Sequence, residues 1–257
     1  MQNKLVFEQP LNERMRNLLR LEHLFELIKN RSLDSINSWD YRDILEALLE
    51  INDLLSRSDF KTELIKELER HSTMLSSLEN NPAVDQSRLK KLNSEICELS
   101  VELKSNAYQP GNTLRSDELV TSFKQRTNIP GGACNFDLPR FHYWLNQSSS
   151  KKQDDLNQWS TDIQPIKKST YLALDMIRNS SHPTKEKAES GFFQQAIESN
   201  TPCQLIRVLL PTATRYYPEI SGGKHRFTIR FMEDKNTSDR PSQTESDVEF
   251  ELHCCAL

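Results

Sequence analysis

Cys134, Asp137 and His142 lie close together and are the residue types of a nucleophile, an orienting acid and a base. A triad is defined by geometry, however, and no local signature of a thiol enzyme surrounds Cys134, so a structural thiol is the better reading. His253-Cys254-Cys255 offers metal-ligating types, but neighbouring residues of a strand point to opposite faces, and no C-x-x-C occurs anywhere in the chain. Nor does a P-loop, a G-x-G-x-x-G or an H-E-x-x-H. The residues offer no reaction, no metal site and no cofactor, and the expectation is a protein that is not an enzyme.

Binding chemistry is better represented. Residues 201–232 hold Arg207, Arg215, Lys224, Arg226 and Arg230 against a single acid, Glu219, a local balance of +4 in a chain whose formal charge is −4. If 225–231 is a strand, Arg226, Thr228 and Arg230 share one face, and His225, Phe227, Ile229 and Phe231 share the other. Tyr216 and Tyr217 add aromatic surface just upstream. Arginines grip carboxylates in a bidentate fork and tyrosines give contact area at low entropic cost, so an acidic peptide with an apolar anchor suits the patch. The competing reading is a solvated sheet face whose charges block edge aggregation. A nucleic-acid-binding module on the same strand is a further alternative, disfavoured by few cations and an acidic total. Arg16 and Arg20, four apart, share a helix face beside an apolar stripe, which reads equally as a solvated flank.

The elements that would hold these residues are legible from periodicity. Lys4-Leu5-Val6-Phe7-Glu8 alternates and stops at Pro10, as a strand does. Leu11, Met15, Leu18, Leu21, Phe25 and Ile28 form a helical stripe, and Ile44, Leu48, Ile51 and Leu55 another. Phe60, Leu64, Leu68, His71 and Leu75, then Leu89, Leu92, Ile96, Leu99 and Leu103, predict an antiparallel helical hairpin with narrow seams, a hint of oligomerisation. Helical signals return at 117–126, at 138–145 and, beyond a polar loop at 147–153, from Leu156 to Ile177. Residues 180–190 read as a loop, as does 216–224. Strands are predicted at 204–210, 225–231 and 248–254, and with the N-terminal one they make a small antiparallel sheet. The fold expected is α+β: a helical domain over 11–180 and a β domain from 1–10 plus 181–257, built from both chain ends.

Composition sets the outer bounds. The chain has 257 residues, 36% hydrophobic and 27% charged, with a mean hydropathy of −0.68. It can build a core, and no apolar run reaches the ~18–20 residues that span a bilayer. The N-terminus lacks a secretory pattern, and the five scattered cysteines read as reduced thiols in the cytoplasm. Cys254-Cys255-Ala256-Leu257 fits a C-a-a-X pattern, but no polybasic stretch precedes it and it reads as the end of a strand.

Several stretches together resemble the Z-ring-associated protein D (ZapD) family of bacterial cell division proteins. They are Phe7-Glu8-Gln9-Pro10-Leu11-Asn12-Glu13-Arg14-Met15-Arg16 with Leu19-Arg20, Thr62-Glu63-Leu64, Val84-Asp85-Gln86-Ser87-Arg88, Ile129-Pro130-Gly131-Gly132, Phe136-Asp137-Leu138-Pro139, and His142 with Trp144-Leu145. The longest runs from Tyr217-Pro218-Glu219-Ile220-Ser221-Gly222 through Lys224 and Arg226-Phe227 to Ile229-Arg230-Phe231, and Phe250-Glu251-Leu252 with Cys254-Cys255 closes the series. The family can carry a cysteine pair after its Pro-Gly-Gly turn, and here one position is Ala133. Residues 31–42, 105–113 and 233–245 depart from the pattern.

The resemblance implies a cytoplasmic, dimeric, non-enzymatic protein. It would bind the C-terminal tail of the tubulin-like protein FtsZ and bundle FtsZ filaments at midcell, with neither nucleic acid nor membrane insertion involved. Carried over by position, Lys224, Arg226 and Arg230, with Arg215 and Tyr217, are the expected tail-binding residues. Arg20, Arg115 and His142 are accessory positions for bundling.

Overall fold

The structure is a computed structural model, and it describes residues 4–33, 36–57, 59–79, 81–82, 84–197, 203–223, 225–234 and 238–256. The fold is α+β. In chain order it runs β1 (Lys4–Pro10), α1 (Glu13–Arg31), α2 (Ser38–Arg57), α3 (Phe60–Ser77), α4 (Gln86–Lys104), α5 (Asn112–Ser116), α6 (Glu118–Thr127), α7 (Pro139–Leu145) and α8 (Ser149–Ser160). A 3₁₀ turn at Thr161–Ile163 leads into α9 (Gln164–Arg178). The strands β2 (Thr184–Ala188), β3 (Phe192–Ala196), β4 (Cys203–Pro211), β5 (Tyr216–Gly222), β6 (Arg226–Glu233), β7 (Ser242–Gln243) and β8 (Val248–Ala256) complete it. The chain divides into two compact units: Met1–Asn17 with Leu174–Leu257, and Leu18–Ala173.

The helical unit is built from the stripes seen in the sequence. Leu64, Leu68 and Leu75 of α3 and Leu89, Ile96, Leu99 and Leu103 of α4 are buried, as a hairpin seam requires. Asp85 caps α4 by accepting from Ser87 N at 2.9 Å and Arg88 N at 3.2 Å, which satisfies two of the amides that a helix start leaves open. An aromatic cluster fills another part of the core: Phe123 meets Phe141 at 4.4 Å between ring centroids, and Trp144 meets Trp159 at 5.4 Å. Residues 147–153, expected as a loop, are mostly the first turn of α8. Ser148 Oγ accepts from Lys151 N, and the buried Lys152 donates from Nζ to Leu145 O at 2.8 Å while lying over the Tyr41 ring. Polar residues here close helix ends rather than mark a connection.

The β unit is larger than the single small sheet expected. It has two antiparallel sheets, one ordered β1-β4-β8-β2 and the other β3-β6-β5, with β7 pairing to β6. Ile206, Val208 and Leu210 of β4, Val248, Phe250 and Leu252 of β8, and Phe227, Ile229 and Phe231 of β6 form one buried cluster between them. Residues 184–188 and 216–222, read as loop, are strands, and so is 192–196. Ser190 and Gly191, both at positive φ, connect β2 to β3, as a two-residue primed turn demands. Cys254 sits within the β4–β8 ladder opposite Ile206 and beside the Cys203 thiol, so the C-a-a-X cysteine is part of the sheet.

Candidate functional site: a basic sheet face

β6 is held from behind. Phe227, Ile229 and Phe231 are all but fully buried, and truncating one such aromatic costs about 3–5 kcal/mol. Strand alternation then fixes Arg226, Thr228, Arg230 and Met232 outward. Arg226 and Arg230 are exposed, and Thr228 and Met232 half-buried. Four residues of strand place the two arginine Cα atoms about 13 Å apart. Among the described residues neither guanidinium is in an ion pair.

The neighbouring strands complete the face. On β5, Glu219 pairs with Arg230, Ser221 with Thr228 and Tyr217 with Met232. On β3, Phe192 pairs with Arg230, Gln194 with Thr228 and Ala196 with Arg226. The surface is therefore a cationic row with an exposed ring, Phe192, at one side and the Tyr217–Met232 pair at one end. Burial pushes the Tyr217 phenol above its ordinary value, and the carboxylates of Glu219 and Asp234 add to the effect.

The other expected residues are placed differently. Arg215 precedes β5 and is engaged: Nε and Nη2 donate to Tyr216 Oη at 2.9 and 2.7 Å, its guanidinium lies over that ring, and Nε pairs with Glu233 at 3.3 Å. It fixes Tyr216 rather than joining the row. His225, expected on the inner face with Phe227, is exposed at the bend before β6, because the ladder with β5 begins at Phe227 and the core ends there. Lys224 lies outside the described residues.

The enzyme-like constellations do not assemble. Cys134 Sγ donates to Asp137 Oδ2 at 3.5 Å, and Asp137 also faces Arg126 at 3.7 Å. No hydrogen bond joins the His142 ring to either among the described residues. His253 meets Ser181 and Glu251, whereas Cys254 faces Cys203. Among the described residues no group of three His, Cys, Asp or Glu side chains could hold a metal.

A family profile described as "ZapD: Cell division protein" matches residues 19–230. A Cell division protein ZapD from Methylococcus capsulatus is 37% identical over 257 residues, covering 100% of both chains. The chain belongs to the ZapD family. Another ZapD, from Nitrosomonas europaea, is 40% identical over 252 residues, 98% of this chain and 95% of its own. That of Cronobacter sakazakii is 38% identical over 258 residues, 99% of this chain and 100% of its own. Membership of the ZapD family makes this chain a cell division protein, and no described helix is long and apolar enough to cross a membrane.

The ZapD profile also spans Arg20, Arg115 and His142, which lie on three different helices of the helical unit: α1, α5 and α7. Arg20 and His142 are exposed. Arg115 Nη1 donates to Asn52 Oδ1 at 2.7 Å and to Pro110 O at 3.1 Å, so it ties the 105–113 segment to α2. The same segment is held by Asp162, which accepts from Gly111 N and Thr113 N. Sequence reasoning missed Phe192 and Met232 as members of the basic face. The signal was there for Phe192: an apolar pair directly after Ser190-Gly191, a turn dipeptide.

Proposed function

We propose that this protein binds the C-terminal tail of FtsZ on the outer face of β6 and, as a homodimer, cross-links FtsZ filaments at midcell. The observation that carries the reading is the outward row of Arg226 and Arg230, held on a strand whose alternate residues are locked in the core and free of ion pairs among the described residues. A tail carrying carboxylates and an apolar residue would meet guanidinium forks beside Phe192 and Tyr217. The row is short, so a single contact is weak. Two sites per dimer acting on filaments with many tails convert weak contacts into avid ones, and a two-fold axis directs the sites at different filaments. Arg20 and His142 are proposed as accessory contacts in bundling, and Arg115 as a support of the helical unit.

The test is binding of a synthetic FtsZ tail peptide to the wild type and to Arg226→Glu and Arg230→Glu, followed by fluorescence anisotropy. Each reversal is expected to weaken binding by about tenfold or more, with the thermal transition unmoved. Unchanged affinity in both variants would remove the site.

A further inference from the structure

Among the described residues, β3 is the sheet edge left without charge or proline. Four strands of three or more described residues stand at sheet edges: β1, β2, β5 and β3. Natural edges are blunted by charge or proline. β1 carries Lys4, Glu8 and Pro10, β2 carries Lys185 and Lys187, and β5 carries Pro218 and Glu219. β3 reads Phe-Phe-Gln-Gln-Ala, without a charge or a proline, and all but Phe193 of its residues are exposed. Such an edge is a template for another strand.

Its hydrogen-bonding groups face the right way. Gly191 O accepts from Phe231 N, and Ile197 N donates to His225 O, each at 2.8 Å. With Phe192 opposite Arg230, the ladder to β6 falls on residues 191, 193, 195 and 197. In an antiparallel pair the alternate residues turn their amides and carbonyls away, so those of Phe192, Gln194 and Ala196 face away from β6. The Phe192 amide is taken by Glu189 O at 2.9 Å. Among the described residues no backbone bond reaches the amides of Gln194 and Ala196.

We propose that the open edge of β3 receives an extended acidic peptide as an added strand, its carboxylates over the Arg226–Arg230 row and an apolar side chain on Phe192. This rests on the reading of the basic face as a tail-binding site and specifies how that site binds. An added strand lies about 4.8 Å beyond β3 and so roughly 10 Å from β6. Only the methyl of Ala196 stands between Arg226 and a carboxylate on it. At the other end Phe192 stands beside Arg230, a seat for an apolar residue. Phe192 and Ala196 are four apart on one face, so the matching peptide carries its apolar residue and its carboxylate an even number of positions apart. Main-chain bonds supply affinity in this mode and the side-chain seats supply selectivity.

The experiment uses the full chain and synthetic FtsZ tail peptides N-methylated at one or the other alternate set of backbone amides. One set is expected to lose binding by about tenfold or more and the other to bind within about threefold of the unmodified peptide, since only alternate amides of an added strand face its neighbour. Gln194→Pro, which deletes an outward amide, should lose binding similarly, while Gln194→Thr retains it. If both methylated sets bind like the unmodified peptide while Arg226→Glu still abolishes binding, the strand-addition mode is overturned and the basic site stands. If the unmodified peptide does not bind the wild type, both are overturned. The peptide series gives its answer even where Gln194→Pro does not fold.

Discussion

Arg230 and Glu219 stand opposite each other in the β5–β6 ladder, on the same solvent-facing side, and form no ion pair. Among the described residues Glu219 is the one acid seated directly beside the cationic row, so it opposes any carboxylate that approaches. A unit charge a few ångströms away at the surface is worth about 1 kcal/mol or less. Glu219→Gln is therefore expected to tighten tail-peptide binding by about two- to fivefold and to steepen its salt dependence slightly. Isothermal titration at low and physiological ionic strength checks this. A loss of affinity would mean that Glu219 positions Arg230 instead.

Within the β unit, Glu8 is the joint between β1, β4 and the end of α9. Arg178 grips it through two bonds, Nε at 2.9 Å and Nη2 at 2.7 Å, and Arg207 Nε adds a third at 2.8 Å. All three side chains are mostly buried. Removing the carboxylate leaves two guanidiniums without it, so Glu8→Ala should cost about 2–4 kcal/mol in urea denaturation. The basic face lies on the other sheet, so tail affinity at a temperature where the variant is folded should hold.

Arg115 is expected to act through stability. Asn52 is only 2% exposed, and Arg115→Ala removes the partner of its side-chain oxygen, a loss of about 1–3 kcal/mol. A lowered thermal transition together with weakened bundling, and tail-peptide affinity unchanged, is the pattern this predicts. A bundling defect at full stability would instead make Arg115 a direct contact.

Acid sensitivity has an identified contributor. Lys4 and His253 hydrogen-bond to Glu251 and hold its carboxyl below the ordinary 4.5. A carboxyl lowered in the folded state contributes stability above that ordinary value and loses it as pH falls through the folded one. Glu251→Gln should therefore flatten the fall in melting temperature below about pH 5. The readout is a series of thermal melts at fixed ionic strength, wild type against variant.

Much of this architecture could be read from residue order alone, and the parts that could not share a cause. β4, β6 and β8 are interior strands with one face in the core, so their alternation is strong. The α3–α4 seam repeats cleanly for the same reason. β2 and β5 were hidden because Lys185, Lys187 and Pro218, which protect their edges, also erase the strand pattern. α8 has a narrow stripe, chiefly Leu156 and Trp159, under a polar start, and its first turn is secured by Ser148 and Lys152 through contacts with no periodic signature. The row of Arg226 and Arg230 was legible because its inward neighbours are apolar. Phe192 beside it, and the tie from Arg115 to Asn52, depend on pairings across many residues, which local pattern does not encode.

The proposed function joins two steps: cations on β6 capture FtsZ tails, and paired subunits turn capture into bundling. Co-sedimentation of assembled FtsZ polymers at low centrifugal force, with and without their C-terminal tail, examines both steps at once. Wild-type protein is expected to pellet full-length polymers and to leave tail-less polymers in the supernatant, and the Arg226→Glu, Arg230→Glu double variant to pellet neither. Bundling of tail-less polymers to the same extent as full-length ones would rule out tail capture as the basis of bundling.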